Sequence, residues 1–175
     1  MKIGIDISQL AYERTGVANY LQGFVQGLIS IDTQNEYVLF YSSLRRKLAL
    51  PAGFKNSNVS IKQFKFPPTF LDLVWNKLHI LPIEKLIGEV DIFISSDWTE
   101  PPTQKAKKAT ILYDLIVYKY PQETAQKIIE TQKRKLSWTK KECDVILCIS
   151  QSTKKDAMEI LGIEENRLKV AYPGI

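Results

Sequence analysis

Asp144-Val145-Ile146-Leu147-Cys148-Ile149-Ser150 runs into a helical stretch that stops at Gly162 and is followed by one more strand, Leu168 to Ala171. The run from Val145 to Ile149 is apolar without polar alternation, the pattern of a strand covered on both faces in a parallel sheet. Ser150 is placed to cap the helix that follows. That helix carries Met158, Ile160 and Leu161 and ends where glycine enters the left-handed conformation at low cost. Strand, capped helix and strand make one crossover unit, the connection that parallel pairing requires.

Working outward, Asp91 to Ser95 and Ala109 to Leu112 are compact apolar runs of the same kind, and a long basic helix is expected at about 122 to 141. Nearer the amino terminus, Lys2 to Ile7 alternates like a strand and Ser8 to Gly16 is rich in turn formers. Val17, Tyr20, Leu21, Phe24, Val25 and Leu28 then recur at helical spacing. Tyr37 to Tyr41 and Asn58 to Phe64 read as the second and third strands, with a polar loop between them. Phe70 to Leu81 reads as helix, and Pro82 opens a second short helix that Gly88 closes. The alternation of strands and helices predicts an α/β, Rossmann-like, doubly wound and mainly parallel sheet with helices on both faces. Ligands are then expected at the carboxyl ends of the strands.

The 175 residues, 45% apolar and 25% charged, exclude a disordered tail and suffice for one substantial core, so residues 1–175 read as a single domain. Cys143 and Cys148 are too far apart for a redox pair and have no cluster of ligands nearby, which argues against a zinc site or a disulfide framework. The start lacks the apolar core and cleavage site of a signal peptide, and no window of eighteen apolar residues occurs. A cytoplasmic protein is expected. Its net charge of +5 is uneven: residues 101–141 hold ten basic against three acidic side chains, leaving fourteen against sixteen elsewhere. A regional bias of this kind fits a surface that meets phosphates or anionic lipid.

Several segments can carry chemistry. Gly16 lies where the first strand hands over to the first helix, and the unpaired amides of a helix start attract anions. The dinucleotide pattern G-x-G-x-x-G is absent, so a turn is the simpler reading of Gly16. Tyr113-Asp114 ends a buried strand. Its carboxylate can face a ligand or cap the next loop. In Asp97-Trp98-Thr99-Glu100, two carboxylates flank an aromatic ring, a set suited to sugar hydroxyls and ring stacking, unless Trp98 packs on a helix. His79 is the sole histidine and reads as a surface or packed residue, since no G-x-S-x-G elbow partners it. Metalloprotease, P-loop and calcium-loop motifs are missing too.

Taken in order, these pieces resemble a known family. Thr15-Gly16-Val17 after the first strand, Trp75 with Leu81-Pro82 before Asp91-Ile92-Phe93, Tyr113-Asp114-Leu115-Ile116 with Pro121, Asp144 with Ile149 to Thr153, and Pro173-Gly174 carry the likeness. Together they resemble the amino-terminal half of family-4 retaining glycosyltransferases of the GT-B fold, bacterial mannosyltransferase-like enzymes of polysaccharide assembly most of all. The resemblance implies an acceptor lobe whose partner, a carboxyl-terminal donor-binding domain, lies outside this chain. It implies transfer of a hexose from a nucleotide-sugar donor to a saccharide or lipid-linked acceptor, with no metal and no further cofactor. Thr15, Gly16, Val17 and Ser150 are then donor-side contacts at the interlobe cleft. Tyr113, standing where the family often has His, and Asp114 are the catalytic candidates. The isolated lobe is expected to be inactive.

The resemblance also gives the basic window a use, as a peripheral contact of Lys105, Lys107, Lys108, Lys133, Arg134 and Lys135 with an anionic membrane. Two other readings share the fold: a lobe of a nucleotide-sugar 2-epimerase, and a non-catalytic regulatory or binding module. Nucleic acid is disfavoured, because no aromatic platform is interleaved with the basic residues.

Overall fold

The computed structural model describes residues 1–47, 54 and 57–174. Its strands are β1 (Lys2–Asp6), β2 (Glu36–Ser42), β3 (Val59–Phe64), β4 (Ile92–Ser95), β5 (Lys107–Leu112), β6 (Val145–Cys148) and β7 (Leu168–Val170). They form one sheet in the order β3-β2-β1-β4-β5-β6-β7, parallel throughout. The chain steps outward from β1 to β3, then returns to the other side of β1 and continues through β4 to β7. The reversal therefore falls between β1 and β4, which pair through Ile3 with Ile92 and Ile5 with Ile94. In a doubly wound sheet this is where the connections diverge and leave a crevice at the carboxyl edge.

Helix α1 (Gly16–Ile31) joins β1 to β2 and covers one face of the sheet. Its positions Leu21, Val25 and Ile29 pack on Ile5, Leu39 and Ile94. The other face carries α2 (Pro68–Leu71), a π-helical turn over Asp72–Lys77, α3 (Glu84–Ile87), α4 (Ile116–Lys119), α5 (Gln126–Glu142) and α6 (Gln151–Leu161). There Phe40, Trp75 and Phe93 make one cluster, and Leu136, Ile146, Cys148 and Ala157 another. Removing a side chain such as Phe40, Phe93, Leu136 or Ile146 from water contributes about 1.5–3 kcal/mol before the entropy of ordering it is counted. Both cysteines are buried free thiols.

The sequence expectations hold with shifted boundaries. The basic helix starts at Gln126, after a 3₁₀ turn at Pro121–Glu123, and the helix expected from Pro82 starts at Glu84. Gly162 closes α6 at φ 62°, as its position after the last helical residue demands. Gly4 allows a close approach: a Cβ there would lie 2.8 Å from both the Ile87 side chain and the Phe93 ring. The loop expected between β2 and β3 falls half outside the described residues, and Ile175 lies outside them too.

One expectation is corrected. Lys108 and Lys135 do not belong to a basic surface, being only 4% and 1% exposed. Lys108 sits on the pleat of β5 that faces α5, and Lys135 lies on the inward side of α5 with Leu136 and Thr139. No helix among the described residues is long and apolar enough to cross a membrane.

Candidate functional site

A cavity of about 410 Å³ opens at the carboxyl edge of the sheet, at the β1/β4 reversal. The loop after β1 supplies Gln9 and Tyr12, the start of α1 supplies Thr15 and Val17, the loop after β4 supplies Trp98, and α5 supplies Ile128. A recess of about 40 Å³, reaching Asp6, Ser8 and Ser42, shares Gln9, Tyr12 and Trp98 with it. A larger depression of about 660 Å³ lies at the opposite, amino edge, among Lys2, Glu84 and Lys105. The carboxyl-edge cavity is the better candidate despite its smaller size, because the strand ends and the α1 amino terminus converge there.

Trp98 is held in place from beneath. The Asn76 amide Nδ2 donates to Trp98 O at 2.9 Å, and Asn76 Oδ1 accepts the Glu100 amide at 3.0 Å. This buried asparagine on the π-helical turn thus clamps both ends of the 98–100 loop. Its carbonyl in turn accepts the indole N–H of Trp138.

Glu100 does not flank Trp98 in the cavity, contrary to the sugar-binding reading of Asp97 to Glu100. It is fully buried. Its Oε2 accepts Ser95 Oγ at 2.7 Å and Thr139 Oγ1 at 3.1 Å, while Lys108 Nζ stands 3.4 Å from Oε1 and Lys135 Nζ 3.9 Å from Oε2. Lys108 continues to Glu142 at 2.8 Å, whose carboxylate also meets His79 Nε2 at 3.0 Å. His79 stacks on Trp138 with ring centroids 3.6 Å apart, so it is packed, one of the two roles expected of it. Two carboxylates and two ammonium groups neutralise one another between the sheet and α5, the arrangement that makes buried charge tolerable.

Of the residues singled out in the sequence, the cavity brings together Thr15, Val17, Asp97 and Trp98. Thr15 caps α1, its Oγ1 accepting Ala18 N at 3.2 Å. Gly16 is the first helical residue, exposed, with nothing within 4 Å of where a Cβ would stand. Among the described residues the amides of Gly16 and Val17 have no protein acceptor, whereas those of Ala18 and Asn19 are taken by Thr15. Tyr113, Asp114 and Ser150 lie along the same edge but outside the cavity wall. Tyr113 is buried, its hydroxyl 3.2 Å from Ser96 Oγ and its ring edge-on to Tyr20. Burial holds its phenol protonated, far above the ordinary range. Asp114 is exposed and accepts Ile116 N at 3.0 Å, closing the turn after β5. Ser150 caps α6 by accepting Thr153 N at 3.0 Å.

The carboxylates near the cavity are tuned by burial. Asp6 is 6% exposed and desolvation pushes its carboxyl up to about 6, against the Ser8 hydrogen bonds that favour the charged form. Asp97 is raised for the same reason, with Lys135 and Gln132 opposing. Near neutral pH the Asp6 carboxyl can therefore either accept or donate a proton.

Gln9 and Asn76 carry no sequence signal, since each is a lone amide in a segment without a motif. Asp6 had one in principle, as an acid ending a strand at the carboxyl edge, like Asp114. No cluster of three or more His, Cys, Asp or Glu side chains able to hold a metal occurs among the described residues. No protein-family model matches the chain, and no curated protein matches it either.

Proposed function

We propose that this chain is the acceptor-side lobe of a retaining glycosyltransferase, which moves a hexose from a nucleotide-sugar donor to a saccharide or lipid-linked acceptor. The observation that carries the reading is the cavity at the β1/β4 reversal, walled by Tyr12 and Trp98 and bordered by the amino end of α1. Aromatic walls suit the apolar faces of a sugar ring. The two free amides at Gly16 and Val17, with the α1 dipole behind them, suit a donor diphosphate. Retaining transfer needs the leaving diphosphate and the acceptor hydroxyl on the same side of the sugar, with the charge that develops on the leaving group stabilised. In this reading the acceptor rests in the cavity, the helix start meets the phosphates, and a second lobe closes over both.

Asp114 is the exposed carboxylate at the end of β5, outside the cavity wall on the same edge, and this reading assigns it to steer an acceptor hydroxyl that reaches beyond the cavity. Tyr113 serves beneath it by fixing the strand end through Ser96. The enzyme works in the cytoplasm. Its outer α5 lysines, Lys127, Lys133, Lys140 and Lys141, meet anionic headgroups in place of the buried Lys108 and Lys135. Co-sedimentation with liposomes tests that surface: binding is expected to fall with salt, and equal binding to neutral and anionic vesicles counts against it.

The reaction is tested by a transfer assay on the polypeptide that carries both lobes, with nucleotide-hexose donors and glycoside or polyprenyl-phosphate acceptors. Transfer is expected there, and none from residues 1–175 alone. Absence of transfer in every pairing, or full turnover by this chain unaided, sinks the reading.

A further inference from the structure

Gln9 is 7% exposed, and among the described residues its side-chain amide has no hydrogen-bond partner in the protein. It lines both the 410 Å³ cavity and the 40 Å³ recess. The amide atoms are not among the sealed, unpaired polar atoms of the described residues, so they are open to the cavity and free to pair with what enters it. Gln9 stands on the 3₁₀ turn Ser8–Ala11, whose amides and carbonyls are engaged locally: Leu10 N bonds Ile7 O, and Tyr12 N bonds Gln9 O. The turn is thus held by its backbone, and the Gln9 side chain is left to face the cavity.

What surrounds it selects the ligand. Tyr12 and Trp98 are shared by both compartments and give flat apolar walls, with Val17 and Ile128 farther out. At the polar end Asp6, Ser8 and Ser42 border the recess. Lys127 is the sole cation among the described residues lining either compartment, against Asp6, Asp72 and Asp97. An anion is disfavoured by that balance. A neutral ring with apolar faces and a hydroxyl-bearing rim fits both halves: the faces lie against the aromatic walls, and neighbouring hydroxyls meet an amide that donates and accepts at once.

We propose that the cavity and its recess are one binding site for a neutral hexose glycoside, and that Gln9 is the residue that orients the ring and reads its hydroxyls. The choice of a hexose among hydroxylated rings rests on the glycosyltransferase reading; the role of Gln9 rests on its burial and its missing partner. The site takes the sugar in its neutral form, hydroxyls toward the recess, aglycone toward Ile128 and solvent.

The test uses the chain itself, ¹⁵N-labelled, titrated with methyl and octyl glycosides of glucose and mannose. The Gln9 side-chain amide signals are assigned by their disappearance in Gln9→Met. Glycoside is expected to shift those signals, and Gln9→Met to weaken binding roughly ten-fold. The amide makes no bond within the protein, so the same substitution is expected not to lower the melting temperature of the free chain. A lowered melting temperature means that the amide serves the fold, and overturns the proposal. So does unchanged affinity in Gln9→Met, or no glycoside shift in the wild type. Preference for an amino sugar that grows as pH rises through 6 assigns recognition to the carboxylates and overturns the neutral class. In the two-lobed polypeptide the two claims separate. Transfer at unaltered acceptor KM in Gln9→Met sinks this site and keeps the reaction, whereas Gln9-dependent binding without transfer keeps the site and sinks the reaction.

Discussion

Glu100 and Gln9 are both polar side chains withdrawn from water, yet they differ in what meets them. Glu100 lies between β5 and α5 with two hydroxyl donors and two ammonium groups around its carboxylate. Gln9 lies under the cavity with none. The first is a group whose charge the fold neutralises, although its Oε1 takes no hydrogen bond and has only the Lys108 ammonium at 3.4 Å. The second is a group whose partner has to come from outside. Burial alone does not separate a structural polar residue from a functional one; what faces it does, two ammonium groups of the fold for Glu100 and an open cavity for Gln9.

The largest test of this contrast is on the neutralised side. Glu100→Leu leaves Lys108 and Lys135 buried without their shared counter-charge, and is expected to destabilise the chain by about 3–5 kcal/mol in urea unfolding. Adding Lys135→Met is expected to recover part of that loss, since it removes one of the stranded charges. Additive losses would show that the two residues act separately and would break the contrast.

A second test concerns Asp6, whose carboxyl is raised in the folded chain to about 6 from an ordinary 3.8. Between those values the native state holds more protons than the unfolded one, so stability is fully present below about pH 4 and is lost as pH rises through 6. Asp6→Asn keeps an acceptor for the Ser8 amide and removes the ionisation. It is expected to flatten this slope and to stabilise the chain at pH 7 by about 3 kcal/mol. An unchanged slope would mean that the carboxylate is as well solvated in the native state as in the unfolded one.

The smallest effect sharpens the comparison at the sheet edge. Ser150→Ala removes a satisfied cap and is expected to cost about 1 kcal/mol while leaving glycoside affinity untouched. A loss of affinity there would move the ligand from the β1/β4 reversal toward β6.

These cases also mark how far the sequence could be read. Val145 to Cys148 was legible because a strand covered on both faces needs an unbroken apolar run, and Ser150 and Gly162 because caps have chemical requirements. The strand order was not, since no local pattern says that β1 will be flanked by β2 and β4. Lys108 and Lys135 were counted as surface because composition sums charges without regard to direction. A lysine adjoining the apolar run of β5, two residues from Thr110 and on the same pleat, was the available clue. Glu100 was misplaced for the same reason: adjacency to Trp98 in sequence puts it on the other side of the loop that Asn76 clamps. In the candidate site, Thr15 and Val17 were reached through the family resemblance, whereas helix-start chemistry pointed to Gly16, which does not line the cavity, and Gln9 is visible only once its place at the cavity can be seen.

The pairing of β1 with β4 sets a timetable for synthesis. Ile3 must wait for Ile92, and Ile5 for Ile94, so β1, an interior strand of the finished sheet, keeps one bare edge while the residues between them are still being made. At ordinary translation speeds this lasts roughly ten seconds, during which β1, α1 and β2 can assemble but offer an open ladder to any other nascent strand. Crowded overexpression should therefore favour inclusion bodies, and slowed elongation past residue 95 should not relieve them, whereas faster delivery of β4 should.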